Sequence, residues 1–296
     1  NYTLQNTADG SSTISATLRT PSGSIIPNYR PAVAVDMVAQ PLASYLSLNM
    51  LDSYRQRSGE YNLNRQDPKS MNSWGRIFGM AGNIQPTGNF SLSGPTYDFN
   101  TSGFQIGRHF YHRQTSHDAS QVMGAYLGVS TADSTIEVAD QPTQAGKLSM
   151  QAYTLGMYWT QQASNGWYTD VVLQVNRYTN IHGQSSLNEN MHSNGWGTEA
   201  SIESGLPIAL PKGLTLEPQL QLIYQYQKLN DAQDDFGKIS YDNLSATYGR
   251  IGARLSTTWS HATQRHSTAW LGINLWGNLS GQGTTTTERK LGLSRG

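Results

Sequence analysis

The final five residues of the chain, "GLSRG" at 292–296, match the G-x-S-x-G pattern around the nucleophilic serine of many hydrolases. In those enzymes a helix follows the serine at once, and the acidic residue and the histidine that activate it come later in the chain. Nothing follows Gly296 in this sequence, so we expect Ser294 to have neither. The sequence therefore predicts no catalytic residue and no enzymatic activity.

Two histidines, His109 and His112, come closest to a metal-binding pair, and the other histidines are scattered. Side chains three positions apart on a strand point to opposite faces, so these two could share an ion only across a β-bulge. The sequence therefore predicts no metal site and no cofactor.

Charged residues recur on one side of segments that alternate between apolar and polar side chains. In 214–229, "LTLEPQLQLIYQYQKL", leucine and tyrosine alternate with threonine, glutamate and glutamine, as on the two faces of a strand. Two interpretations of the charged residues are open: they line a hydrated channel, or they hold another part of the protein through polar contacts. The residues concerned are Asp170, Glu199, Glu203, Glu217, Arg250 and Arg254.

Composition narrows the class of protein. The 296 residues carry no net charge, so no basic patch predicts a nucleic-acid partner. Charged residues make up 14% of the chain, against about 25% in ordinary soluble domains. No run of 18 apolar residues occurs, so no transmembrane helix is expected.

The elements that position these residues are one helix and a series of long strands. Residues 32–58 have helical spacing at Leu42, Tyr45, Leu46 and Asn49, with Pro41 predicted in the first regular turn and Gly59 as the stop. The periodicity after Trp74 predicts nine strands of ten or more residues, at 74–83, 97–113, 120–138, 147–163, 166–184, 194–210, 214–229, 244–261 and 267–280.

The decisive question is which face of these strands is inside. A soluble sandwich would bury the apolar face and expose a polar face rich in lysine and glutamate. Here the polar faces carry glutamine, glycine, serine and threonine, and tryptophan and tyrosine often end the apolar rows. Those features favour an all-β, antiparallel transmembrane barrel with its apolar face in lipid and its polar face in the interior.

With the helix and strands in this order, the chain resembles the C-terminal translocator domain of the autotransporters of Gram-negative bacteria, the classical type V secretion family. The resemblance covers nearly the whole chain. Six segments carry it: "NYRPAVAVDMVAQPLASYLSLNMLDSYRQRSGE" (28–60), "WGRIFG" (74–79), "GWYTDVVLQVNRY" (166–178), "GWGTEASIESGLPI" (195–208), "LEPQLQLIYQY" (216–226) and "GRIGARLS" (249–256).

The resemblance implies a 12-stranded barrel with the helix in its pore. It assigns 1–31 to the end of a passenger and its junction, 32–59 to the pore helix, and 60–296 to the barrel. It implies an outer-membrane pore that secretes its own passenger to the cell surface without nucleotide or cofactor. The implied partners are the passenger, the outer-membrane assembly machinery, periplasmic chaperones and the lipid bilayer. The helix residues expected to contact the pore are Tyr45, Asn49 and Arg55.

The C-terminal end departs from the family pattern. The family ends in an amphipathic strand with a terminal aromatic residue, whereas this chain ends in "TTTTERKLGLSRG". We therefore predict an incomplete barrel of about nine strands, in which the strand at Trp74 is not paired with the strand at Trp270.

Two other functions remain open on the sequence alone. A general diffusion porin would also be a membrane barrel, but porins are plugged by loops and lack the helix at 32–58. An outer-membrane enzyme of the omptin or phospholipase kind would need a catalytic group at one rim, and the strands provide none that we can assemble.

Overall fold

The long alternating segments form the strands of one antiparallel sheet. The computed structural model describes residues 2–6, 12–19, 25–27, 30–51, 53–58, 73–85, 94–114, 119–137, 144–233, 237–260, 266–280 and 285–295. Within the described N-terminal part, β1 (Tyr2–Asn6), β2 (Ser12–Arg19) and β3 (Ile25–Pro27) pair in that order as a small separate sheet.

All nine predicted long strands are present, each within a few residues of its predicted limits. They are β4 (Ser73–Ile84), β5 (Thr96–Gln114), β6 (Ser120–Glu137), β7 (Gln144–Gln162), β8 (Tyr168–Ser185), β9 (Asn190–Gly205), β11 (Leu214–Leu229), β14 (Leu244–Ser260) and β15 (His266–Asn278). Short strands β10 (Ile208–Leu210), β12 (Ala232–Gln233) and β13 (Lys238–Ile239) lie in the connections, and a 3-10 turn at Pro211–Gly213 precedes β11.

The sheet is a curled half-barrel in which each long strand pairs with the next long strand along the chain. A further strand, β16 (Thr285–Arg295), pairs with β15, so the sequence analysis missed one strand. Its run of β-branched threonines favours extended backbone, although its apolar alternation is weak. Among the described residues β4 pairs only with β5 and β15 only with β14 and β16, which matches the predicted gap between β4 and β15.

The helix begins earlier and ends sooner than predicted. Helix α1 spans Pro31–Met50 and a short second helix, α2, spans Tyr54–Ser58. Pro31 starts α1 because its fixed φ suits a first helical turn, and Arg30 before it is extended, as a residue preceding proline prefers. Pro41 therefore lies inside the helix and not in its first turn. Gly59, the predicted stop, lies outside the described residues.

The two faces of the sheet have the predicted polarity. In β11 the glutamines Gln225 and Gln227 are fully buried, whereas Leu220 and Leu222 are 60% and 46% exposed. The buried glutamines lie on the concave face, where Gln225 contacts α1. Hydrocarbon can cover the exposed leucines, and the helix covers the polar side. The sheet therefore has its apolar face outside and its polar face inside, the reverse of the arrangement in a soluble protein.

Two clusters of side chains fill the concave side. One packs apolar residues of α1, among them Val35, Val38 and Leu42, against Ile136 and Leu148 of β6 and β7. The other is rich in tyrosine and surrounds the end of α1 and the start of α2, with Tyr54, Tyr126, Tyr158 and Tyr168 as its largest members. The helix is therefore held by apolar contacts along one part and by polar aromatic groups near its end. Neither described helix is both long and apolar enough to cross a membrane.

Candidate functional site

The inner face of the sheet contacts α2 through a buried ion pair between Arg57 and Asp170. The side chains are 2% and 1% exposed, and Arg57 Nη2 also lies 3.4 Å from Thr160 Oγ1. The Thr160 hydroxyl donates to Asp170 Oδ1 at 2.5 Å, and the guanidinium carbon lies 4.0 Å from the ring centroid of Tyr158. Strands β7 and β8 thus supply a carboxylate, a hydroxyl and an aromatic face to one arginine of the helix.

A second ion pair joins α2 to β11, two strands further along the wall from β8. Arg55 Nε donates to both oxygens of Glu217 at 3.1 and 3.0 Å, and Nη2 donates to Oε2 as well. Gln219 Nε2 donates to Glu217 Oε1 at 2.8 Å, so the carboxylate is also fixed from its own strand. Because such a fork restrains orientation as well as distance, it holds α2 in one position against β11.

Two of the remaining predicted charges, Glu203 and Arg250, pair with each other within the wall. Arg250 Nη2 lies 2.9 Å from Glu203 Oε2, and its Nε donates to Gln221 Oε1 at 2.7 Å. Arg254 stands opposite Glu217 in the β11–β14 register, with its guanidinium carbon 5.2 Å from the ring centroid of Trp270. These contacts therefore tie β9, β11, β14 and β15 together.

Glu199 occupies the middle of the interior and is surrounded by amide groups. Gln225 Nε2 donates to Oε1 at 3.1 Å, and Gln174 Nε2 and Asn176 Nδ2 donate to Oε2 at 3.0 and 2.5 Å. The same glutamines reach α1, where Gln225 Nε2 donates to Ser47 Oγ at 2.7 Å and Gln174 Nε2 to the Ser47 carbonyl oxygen at 2.9 Å. Three strands and the helix therefore meet at one buried carboxyl group.

The C-terminal end of α1 is capped by the wall. The last carbonyls of a helix lack partners within it and carry partial negative charge. Arg76 Nη2 lies 3.1 Å from the Asn49 carbonyl oxygen, and Gln105 Nε2 donates to the Met50 carbonyl oxygen at 2.7 Å. The Asn49 side chain donates to Thr101 Oγ1 at 2.5 Å. Strands β4 and β5 thus supply the donors that the helix end requires.

All nine predicted site residues face the interior or belong to α1 and α2, and the structure brings them together in the groups just described. Tyr45 stacks on Phe99 with ring centroids 5.1 Å apart. Sequence analysis did not single out Arg57, Arg76, Gln105, Gln174, Asn176 or Gln225. The alternation of polar and apolar residues along the strands could have indicated Arg76 and the four amides Gln105, Gln174, Asn176 and Gln225, since each lies on the polar face. Nothing in the sequence identified the atoms that they contact.

Of the two sequence motifs considered for chemistry, the histidine pair has a different setting from the one expected, and the serine motif does not. His109 and His112 share the inner side of β5, because the register shifts between His109 and Tyr111 and this bulge reverses the parity. The expectation that they face opposite ways was wrong, although no group of three or more metal-ligating side chains occurs among the described residues. Ser294 lies within strand β16, not at a strand-to-helix turn.

A curled antiparallel sheet with an apolar outer face, a polar inner face and a helix held on the inner face defines a strand-built membrane protein of the β-barrel class. Known proteins of this kind match the chain. The family model of the autotransporter beta-domain matches residues 73–295. Among solved structures, the transport unit of AIDA-I from Escherichia coli has a TM-score of 0.64 at 17% identity, covering 91% of this chain and 84% of that one. The beta domain of the Bordetella autotransporter BrkA has a TM-score of 0.58 at 20% identity, covering 76% and 84%.

The curated relatives are much longer than the chain. The probable autotransporter YcgV of Escherichia coli K12 is 30% identical over 196 residues, which is 62% of this chain and 19% of that protein. The adhesin BmaC autotransporter of Brucella suis is 25% identical over 245 residues, 78% of this chain and 7% of that protein. The chain therefore spans about a fifth or less of the length of these relatives.

The chain belongs to the autotransporter beta-domain family. Its role is that of a translocator in type V secretion, at the Gram-negative outer membrane. This membership favours the translocator over the diffusion porin considered above, and translocator domains of the family are in general not enzymes.

Proposed function

We propose that this chain carries its own N-terminal passenger to the cell surface and then retains α1 and α2 as a plug. The observation that carries the proposal is the position of α1 on the polar inner face, with Arg55 and Arg57 of α2 paired to Glu217 and Asp170. A segment that follows a passenger and ends in two buried ion pairs is suited to stop in the pore. In this proposal 1–31 is the passenger end and junction, 32–59 the plug and 60–296 the wall.

The orientation follows from the lengths of the connections. Barrels of this class have short periplasmic turns and longer external loops. The β7–β8 connection, 163–167, is short, whereas β11 and β14 are joined through 230–243. The longer connection contacts the first half of α1, where Gln40 Nε2 donates to the Asp242 carbonyl oxygen at 2.7 Å. The N-terminal end of α1 therefore faces outward, as surface display of a passenger requires.

The polar side chains of the wall have two roles in this proposal: they hold the plug in place, and they form hydrogen bonds with the passenger during transport. Glutamine, asparagine and threonine side chains exchange hydrogen bonds with a passing chain at little net free energy, because protein–protein bonds replace protein–water bonds. Transport in this proposal uses no nucleotide, no cofactor and no catalytic residue of the chain. Periplasmic chaperones and the outer-membrane assembly machinery deliver the wall to the bilayer, which is its remaining partner.

The proposal is tested in cells that express the passenger-bearing precursor with an epitope tag immediately before Arg30. We expect the tag to be stained by antibody on intact cells and removed by added protease, while a tag inserted into the 163–167 turn is reached only after permeabilisation. If the tag at Arg30 is protected and the tag in the turn is exposed, the orientation and the export role are both wrong.

A further inference from the structure

The outward-facing side chains of β5, β6 and β7 change from apolar to polar at one level. Phe104 stands opposite Val129, and Val129 opposite Tyr153; each is about half exposed. One step nearer the Arg30 end, the next outward-facing residues are Ser102, Thr131 and Gln151, where the Ser102 and Thr131 hydroxyls lie 3.2 Å apart. Hydrocarbon suits the first row and not the second, so the edge of the lipid core lies between them.

A hollow of about 420 Å³ lies in the polar band just beyond this edge. Its lining comes from four neighbouring strands, β5 to β8, and includes Asp98, Asn100, Asp133, Lys147, Ser149 and His182. The floor is the rigid paired backbone of these strands, with Asn100 opposite Asp133 and Asp133 opposite Ser149. The hollow is therefore a formed feature of the sheet and not a gap between mobile loops.

We propose that this hollow binds the saccharide headgroup of a glycolipid whose acyl chains lie on the apolar rows below it. Carboxylates and amides such as Asp98, Asp133 and Asn100 accept and donate the paired hydrogen bonds that sugar hydroxyls form. Lys147 supplies one cation for a phosphate on the sugar. Since only one polar row, Ser102, Thr131 and Gln151, separates the apolar row from the hollow, the ligand is an amphiphile and not a free sugar.

The side of the membrane rests on the proposed function. The hollow lies at the end of β8 that leads to Glu189, whose carboxylate pairs with Arg30 at the N-terminal end of α1. If α1 points outward, the hollow faces the outer leaflet, where glycolipids of the Gram-negative outer membrane reside. The ligand class then agrees with the lipid available on that side.

The site is tested by extracting the full chain from mixed micelles of lipid A and phosphatidylethanolamine. Native mass spectrometry then measures how much of each lipid stays bound to the protein. We expect retention of lipid A over phosphatidylethanolamine. The double substitution Asp133→Asn and Lys147→Ala should lower lipid A retention about tenfold, because it removes an ionic donor and an ionic acceptor. The matched control is Gln161→Ala with Thr169→Ala, a polar pair directly opposite each other at the other end of β7 and β8, which should leave retention unchanged.

Equal retention of the two lipids, or equal loss in the two double variants, overturns the proposed site. A separate readout isolates the orientation: the chain has no cysteine, so Leu187→Cys, in the β8–β9 connection outside the hollow and 63% exposed, can be labelled with a membrane-impermeant maleimide on intact cells that express the precursor. Lipid A retention with no labelling would keep the binding site and reject the orientation. Labelling without preferential retention of lipid A would keep the orientation and reject the binding site.

Discussion

Arg57 and Asp170 form the most completely buried charge pair between the plug and the wall among the described residues, with side chains 2% and 1% exposed. A buried charge is tolerable only while its partner and hydrogen bonds are present, because the protein interior solvates it poorly. The pair at the outer end, Arg30 with Glu189, differs in that the Arg30 side chain is 41% exposed. We therefore expect the buried Arg57 to hold the helix more strongly than the partly exposed Arg30, although each forms one ion pair.

Removing Arg57 should cost far more stability than removing Arg30. We expect Arg57→Ala to lower the free energy of unfolding by about 3–5 kcal/mol, since it leaves Asp170 buried without its cation. Arg30→Ala should cost less than about 1 kcal/mol, because water screens and replaces that contact. Urea unfolding of the lipid-folded domain measures both. Equal losses in the two variants would show that Arg57 is not a principal anchor.

Helix α1 approaches the wall closely where the strands carry glycine. A Cβ on Gly183 of β8 would lie 2.7 Å from Val35 Cγ1, and a Cβ on Gly128 of β6 would lie 2.3 Å from Met50 Cε. Val35 and Met50 stand near the two ends of α1. The absence of side chains at these glycines therefore lets the helix lie against the sheet along most of its length.

A side chain added at one of these glycines should push the helix away from the sheet. We expect Gly183→Ala to destabilise the domain by about 1–3 kcal/mol, the usual cost of overpacking. Gly277→Ala on β15 should change stability by no more than about 0.5 kcal/mol, since nothing lies within 4 Å of its added Cβ. Urea unfolding again gives the comparison. No difference between the two would mean that α1 does not pack against β8 as described.

The plug should also limit the flow of ions. Deleting 32–59 from the passenger-bearing precursor should raise single-channel conductance in a planar bilayer, because the helix and its side chains occupy the interior. Substituting Arg30→Ala alone should leave conductance unchanged. A deletion variant with the conductance of the parent would contradict a plug inside the pore.

Strands were easier to predict from the sequence than their partners. Alternation has a period of two, so Leu220, Leu222 and the intervening glutamines reveal both a strand and its faces without any long-range information. The contact of Arg57 with Asp170 joins residues 113 positions apart, and it depends on strand register and on where the helix ends. Likewise, the bulge at His109 adds one residue to β5, and no local pattern indicates such an insertion.

The membrane assignment requires hydrocarbon on the outer face of the wall and the helix on its inner face. The outward-facing Leu220 and Leu222 are 60% and 46% exposed, and they form a continuous apolar surface with Ile251, Leu271 and Ile273 of β14 and β15. A soluble protein rarely exposes an apolar area of that extent. The polarity of the two faces is therefore the property from which the membrane assignment follows.

Charge substitution on adjacent residues of β11 separates the two faces. Leu222→Arg should cost about 2–4 kcal/mol if the residue lies near the bilayer midplane, and Gln221→Arg should cost less because it faces the polar interior beside Ser201. Folding into lipid vesicles followed by urea unfolding measures the difference. Equal penalties, or a greater cost at Gln221, would favour a soluble barrel.

The position of the helix is tested most directly by a chemical crosslink between α1 and the inner wall. Ser47 Oγ lies 2.7 Å from Gln225 Nε2, and the chain has no cysteine of its own, so Ser47→Cys with Gln225→Cys can be joined by a short bifunctional thiol reagent in outer membranes that contain the precursor. The control combines Ser47→Cys with Leu222→Cys on the outward face. We expect the first pair to be crosslinked, seen as a shift in gel mobility, and the second pair to remain uncrosslinked. A crosslink in the control but not in the Ser47–Gln225 pair would place the helix outside the wall and contradict a helix held on the inner face.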